Sequence, residues 1–148
     1  MVRSEKENAN SLTLESLIAS RRVEAWVLCL SETDVKPNET LLRLDWRFRG
    51  AIARALTSGA ISRESGAVSL LPCTRPVSDS GMETFRILTL GVRDRKNITS
   101  EEFSKLTRNI DGLRLASVGL SASDFGGGTP ADIKRSFPKN GAELCVTT

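Results

Sequence analysis

With 148 residues, 39% of them apolar and 26% charged, the chain has ordinary globular composition and length for one domain, which excludes global disorder and a fibrous architecture. A domain of this size buries about 68–70% of the surface its unfolded chain exposes, so it needs no covalent staple. The net charge is +3, and Lys and Arg exceed Asp and Glu only between residues 51 and 100, 7 against 4; with aromatics at 5% and no tyrosine, a nucleic-acid partner is not expected.

Residues 1–10 are polar and charged and read as a disordered tail, leaving 11–148 as a single domain. Residues 12–17 carry Leu12, Leu14 and Leu17 and are expected to form a first strand, with Arg21 and Arg22 in the turn after it. The run from Glu24 through Trp26 and Cys29 to Leu30 is almost continuously apolar, the pattern of a strand covered on both faces. Asp34, Pro37, Asn38 and Thr40 mark a loop into a long helix. Leu44, Phe48, Ala51, Ile52, Ala55 and Leu56 recur at helical spacing as one buried stripe, with Arg43, Arg47 and Arg54 facing away. Gly59 ends that helix near Ser58, because a left-handed cap costs least without a Cβ.

Residues 67–71 and 84–92 are short and apolar enough to be strands, the first stopped by Pro72 and the second central to its sheet. The Ser-, Pro- and Gly-rich stretch 74–83 between them reads as an exposed connection. Thr99 or Ser100 caps a helix reaching Ile110, with Glu101 and Glu102 in its first turn and Phe103, Leu106 and Ile110 on its inner face. A strand at 113–121 and a short final strand at 144–146 complete the order, with a turn at 137–141 between them. Alternating strands and helices predict a three-layer α/β domain with a mixed, largely parallel sheet.

The series Leu44-Asp45, Gly50, a small-residue helix, Gly59, Gly66, a Leu-rich strand and then Arg86-Ile87-Leu88-Thr89-Leu90-Gly91 resembles the N-terminal, non-catalytic domain of the leucyl aminopeptidase family, over roughly residues 12 to 122. Where the family shows a Gly-Leu-Gly-like turn after this strand, Gly91 matches and Arg93 occupies the place of the second glycine. The resemblance implies an α/β fold like that of macro domains. It further implies a stand-alone, non-enzymatic domain, lacking the family's two-metal peptidase domain, that acts by association with itself, with a peptidase or with another protein. The final strand is expected to close the chain as a domain of its own.

The residues themselves offer no catalytic constellation. Histidine is absent, which excludes Ser-His-Asp and Cys-His mechanisms. Cys29, Cys73 and Cys145 are odd in number and unpaired in spacing, so they read as reduced structural thiols; neither a metal nor a cofactor is expected. Ser136 and Lys139 have Ser-x-x-Lys spacing, but Pro138 breaks the helical turn that would bring them together. No apolar run could cross a bilayer and the start is not signal-like, so no membrane partner and a cytoplasmic location are expected.

The most suggestive stretch follows the 113–121 strand: Asp124, Phe125, Gly126, Gly127, Gly128, Thr129, Pro130 and Asp132. Three successive glycines let backbone amides turn toward an anion, and Thr129 with Pro130 can open a short helix whose N-terminus adds partial positive charge. Macro domains hold a diphosphate with similar glycine-rich loops beside strand ends, so the stretch makes Asp124, Gly126, Gly127, Gly128 and Thr129 candidate residues for ADP-ribose or a related nucleotide. A plain surface linker is the other reading of triple glycine, and Asp124 and Asp132 would repel a phosphate. Arg43, Arg47, Arg49 and Arg54 read as a solvated helix face, with a DNA or partner surface as the alternative.

Overall fold

The computed structural model describes residues 13–34, 38–77, 81–126, 133–135 and 142–147, with the side chains of 75–77, 82 and 83 left out. The expected tail at 1–10, Ser136 to Lys139, and the turn at 137–141 lie outside the described residues.

The first element corrects the sequence reading. Residues Leu14–Ala19 form a helix, α1, rather than a strand, because Leu14, Leu17 and Ile18 share one buried face only at helical spacing. Thr13 caps it in a reciprocal box: its hydroxyl accepts the Ser16 amide at 3.1 Å while the Ser16 hydroxyl accepts the Thr13 amide at 3.0 Å. Arg21, with φ 58°, then turns the chain into strand β1, Ala25–Ser31, which is buried along its whole length.

The helix expected to run through Phe48 is two helices, α2 (Glu39–Arg47) and α3 (Ala51–Ser58). Arg49 at φ 56° and Gly50 at φ 79° occupy the left-handed region, which a right-handed helix cannot contain. Asp45 makes the break possible, since its carboxylate accepts the amides of Ile52 at 2.9 Å and Ala53 at 3.0 Å at the start of α3. The stripe itself holds: Leu44, Phe48, Ile52 and Ala55 are buried, with Ala51 and Leu56 packed against them. Gly59 caps α3 in the left-handed conformation expected of it.

Strand β2 (Val68–Val77) continues through Pro72 and pairs antiparallel with β3 (Gly81–Val92), Pro72 standing opposite Arg86. Proline survives there because β2 is the sheet's edge strand, where a missing N–H breaks no interior ladder. The expected connection at 74–83 is therefore mostly paired strand, while residues 78–80 lie outside the described residues. Helix α4, Ser100–Gly112, is capped by Thr99, and strands β4 (Ser117–Ser121) and β5 (Glu143–Thr147) follow.

The five strands lie in the order β2-β3-β1-β4-β5, parallel except for β2. This is the mixed, largely parallel sheet expected from the order of elements. Trp26, Leu28 and Leu30 of β1 face the layer containing α1, α2 and α3, whereas Ala25, Val27 and Cys29 face α4. Strand alternation thus puts one half of the core on each side of the sheet.

Candidate binding edge

Strands β1, β3, β4 and β5 run the same way, so Ser31, Val92, Ser121 and Thr147 end at one edge of the sheet. From that edge the chain leaves β1 for α2 on one face and leaves β3 for α4 on the other. In open α/β sheets, a crevice suited to ligands forms where neighbouring strands feed opposite faces.

The register shows a split on the other side of β1, toward β4. Strand β1 pairs with β3 from Ala25 opposite Arg86 to Ser31 opposite Val92. With β4 it pairs, among the described residues, at Ala25 opposite Val118 and Trp26 opposite Gly119, and then the strands part. Beyond the split, the main chain of Cys29 is served by side chains. Its N–H donates to Asp124 Oδ2 at 2.7 Å, and its carbonyl accepts from the Arg95 guanidinium at 2.9 Å and from Asn38 Nδ2 at 3.4 Å.

Asp124 sits in a short 3-10 turn, Ala122–Phe125, that continues directly from β4. Its side chain is 0% exposed. The second carboxylate oxygen accepts from Asn38 Nδ2 at 2.7 Å and pairs with Arg95, which also donates to the Asp124 main-chain carbonyl at 2.8 Å. The other arm of Arg95 reaches Asp34 at 2.5 Å, and Asp34 in turn accepts the Ser31 amide at 3.1 Å and lies 3.5 Å from Arg63. Burial pushes the Asp124 carboxyl up to about 7, with Arg95 and the Cys29 amide pulling it back. Arg95 itself is raised: burial disfavours its charge, and Asp124 and Asp34 more than offset this.

A second buried carboxylate fixes the loop that carries Arg95. Glu102 accepts the Thr99 amide at 2.8 Å, the Arg93 amide at 3.0 Å and the Ser65 hydroxyl at 3.0 Å. Burial would raise its pKa, yet these donors hold it below the usual range.

Of the candidate ligand residues, Asp124 is buried and bonded to Cys29, Asn38 and Arg95. Gly126 is exposed, with φ 90°, and closes the 3-10 turn; Gly127, Gly128 and Thr129, with the capping role expected of Thr129 and Pro130, lie outside the described residues. Residues 133–135 form a helical turn, and Ile133 packs into the α4 side of the core. Arg95, Asp34 and Asn38 were not singled out from sequence. Asp34 and Asn38 come from the connection after β1 and Arg95 from the one after β3, 29, 61 and 86 positions separating the bonded pairs, so no local spacing connects them to Asp124.

The arginines of α2 and its C-terminal turn lie around an exposed Trp46, and Arg43 grips both oxygens of Glu15. Arg54 donates to the Arg49 carbonyl at 2.8 Å. Cys29, Cys73 and Cys145 are free and buried; burial raises all three thiols, Cys73 to about 11. Among the described residues there is no group of three or more His, Cys, Asp or Glu side chains that could hold a metal, and no helix long and apolar enough to cross a membrane.

No protein-family model matches the sequence, and no curated protein matches it. The fold is similar to the macrodomain of Thermus aquaticus DarG, with a TM-score of 0.56 at 18% identity over 85% of this chain and 89% of that one. It is likewise similar to the macrodomain of Mycobacterium tuberculosis DarG, with a TM-score of 0.56 at 16% identity over 84% of this chain and 88% of that one. At these identities the likeness establishes a macrodomain-like fold.

It also corrects the leucyl aminopeptidase resemblance, since the structural neighbours are macrodomains, a different family. The spaced glycines and leucines behind that resemblance do local work that any helix-turn-strand unit demands: Gly50 breaks α2 from α3, and Gly59 caps α3. The protein-association role, whether with itself or with a peptidase, rested on that resemblance and falls with it.

Proposed function

We propose that this chain is a binding module for ADP-ribose or a related nucleotide, held at the carboxyl edge of the sheet by the loop that follows β4. The macrodomain-like fold supports this reading, and one observation carries it: β1 and β4 part after Trp26 and Gly119, opening the sheet at the edge from which the glycine-rich loop departs. Gly126, Gly127, Gly128 and Thr129 would present backbone amides to the diphosphate, which needs close approach and therefore small residues. Asp124 would not touch the ligand with its carboxylate, which is buried and already taken by Arg95, Asn38 and the Cys29 amide.

The role is binding rather than catalysis. Asp34, Asp124 and Glu102 are each committed to amides or arginines and leave no spare base among these three. We place the module, residues 11–148 as one domain, in the cytoplasm, where its three free thiols suit a reducing compartment.

Calorimetric titration with ADP-ribose tests the reading. A saturable heat that disappears in Gly127→Val supports it, and no heat at millimolar ligand ends it. Incubation with an ADP-ribosylated peptide tests the non-catalytic part, since release of free ADP-ribose by the protein would make it a hydrolase.

A further inference from the structure

The charged cluster at the carboxyl edge ends in an arginine whose donors the fold leaves unused. Arg63 meets Asp34 at 3.5 Å, an ion contact beyond ordinary hydrogen-bond length, and among the described residues its guanidinium makes no hydrogen bond. Asp34 offers it nothing closer, because the same carboxylate oxygen already accepts the Ser31 amide at 3.1 Å and Arg95 at 2.5 Å. The Arg63 side chain is nevertheless only 33% exposed.

The backbone that carries Arg63 is closely placed. The Gly66 amide donates to the Gly91 carbonyl at 2.8 Å and the Gly91 amide to the Ala67 carbonyl at 2.8 Å, which binds this segment to the end of β3. The approach is so tight that a Cβ on Gly91 would stand 1.9 Å from the Glu64 carbonyl oxygen and 2.9 Å from the Arg63 carbonyl carbon, so the crossing requires glycine. Ser65 ties the same segment to Glu102 at the start of α4. Gly91 lies beside Leu30 in the ladder, and Asp34 follows the end of β1. Arg63 therefore starts at β3 and reaches to the segment after β1, across the mouth between the two strands. From that mouth the chain departs to α2 on one face and to α4 on the other, the arrangement that opens a ligand crevice.

We propose that Arg63 is a ligand-binding residue, whose guanidinium takes one negative charge of the nucleotide's diphosphate at the mouth between β1 and β3. The inference rests on the ADP-ribose reading and deepens it.

A guanidinium presents five N–H donors in a planar fork that fits phosphate oxygens, and a single distant carboxylate leaves that fork open. Arg95 is a poorer candidate, since its donors are spent on Cys29, Asp34 and Asp124. Asp34 and Asp124, when both are ionised, balance Arg95 and Arg63, and Arg63 is the most exposed of the four, so an arriving anion meets it first. The mouth stands one strand spacing, roughly 5 Å, from the β1–β4 split, a distance that one diphosphate can span.

ADP-ribose calorimetry on Arg63→Gln, at low and at high salt, tests the assignment. Binding about ten-fold weaker or more than in the parent, with a shallower dependence on salt, supports it, because a lost phosphate contact removes a screened charge interaction. Affinity within about two-fold of the parent overturns it, and so does a weaker affinity with the parent's salt dependence, which marks a structural role. If Arg63→Gln fails to fold, Arg63→Lys is titrated in its place; it keeps the charge but lacks the fork, so affinity should fall about three-fold or more, and parental affinity is the overturning result.

A parent that binds no ADP-ribose ends the nucleotide reading, and inorganic pyrophosphate then decides the fate of Arg63 separately. Saturable shifts of the Ser31, Arg63 and Gly91 amide resonances in the parent, absent from Arg63→Gln, keep it as an anion site. No shifts in the parent, or the same shifts in the variant, remove it.

Discussion

The two flanks of β1 meet the same need by different means. Toward β3 the strand is laddered from Ala25 to Ser31, and its backbone groups find partners through repetition alone. Toward β4 the ladder stops at Trp26, and Cys29 depends on Asp124, 95 positions away, and on Arg95, 66 positions away. A laddered flank is robust to side-chain exchange because its hydrogen bonds belong to the backbone. A flank satisfied by side chains hangs on individual atoms, and it is the one that leaves the sheet open at the edge where the glycine-rich loop starts.

The sharpest break in this contrast is Asp124→Ala. It takes the acceptor from the Cys29 amide, one of the two carboxylates from Arg95 and one of the two acceptors from Asn38 Nδ2. Leaving a buried donor without its acceptor costs about 1–3 kcal/mol, and this loss should appear as a lower urea midpoint at constant slope. A loss below about 1 kcal/mol would mean that water replaces the carboxylate freely, and the two flanks would then be equivalent.

Proton linkage sharpens the contrast further, because the edge holds two buried carboxylates of opposite tendency. Folded Asp124 keeps its proton up to about pH 7, against an ordinary value of 3.8, so the native state binds more protons between those limits. Stability from this group is therefore complete below about pH 4 and is lost as pH rises toward 7. Glu102 is held below 4.5; its contribution is complete above that value and is lost as pH falls beneath it. The stability of the parent relative to Asp124→Asn should fall on going from pH 4.5 to 7, by on the order of 2 kcal/mol. The stability of the parent relative to Glu102→Gln should fall in the opposite direction, as acid is added. Urea unfolding across this range checks both, and parallel trends would contradict the assignment of Asp124 as the strained carboxylate.

The point where the flank changes character can be probed directly. Gly119 faces Trp26 at the last β1–β4 pair, and a Cβ there would stand 2.5 Å from the indole ring. That ring is completely buried. Gly119→Ala should cost about 1–3 kcal/mol through overpacking, read as a fall in Tm. A neutral outcome would show that β4 can already slide away from β1 above the split, making the opening wider than the register implies.

Much of this division was legible before the fold was known, and the part that was not has a physical reason. The doubly covered β1, the Thr99 cap of α4 and the Gly59 stop are encoded within a few residues each, by period, capping chemistry and a missing Cβ. Near Leu14 the apolar residues fit alternation and helical spacing equally over so short a run, and the Thr13–Ser16 box decided for helix. Pro72 misled because proline forbids an interior strand but not an edge one, and edge position is a property of the whole sheet. The glycine-rich loop stood out as a cluster of one residue type. Arg95 did not, because Arg93-Asp94-Arg95-Lys96 looks like any charged connection until the β1–β4 split gives one of its members a buried partner.

The mildest test lies on the laddered flank. Thr89 of β3 stands opposite Leu28, is completely buried, and its hydroxyl finds no hydrogen-bond partner among the described residues. A buried hydroxyl without a partner carries a desolvation cost that an isosteric methyl avoids. If backbone repetition alone holds this flank, Thr89→Val should lose nothing and should gain about 1 kcal/mol, with Tm rising by a few degrees. A fall of similar size would show that the hydroxyl has a partner after all, most simply an ordered water, and that the β3 side of β1 also relies on a side chain, which would erase the contrast between the two flanks from the opposite direction to Asp124→Ala.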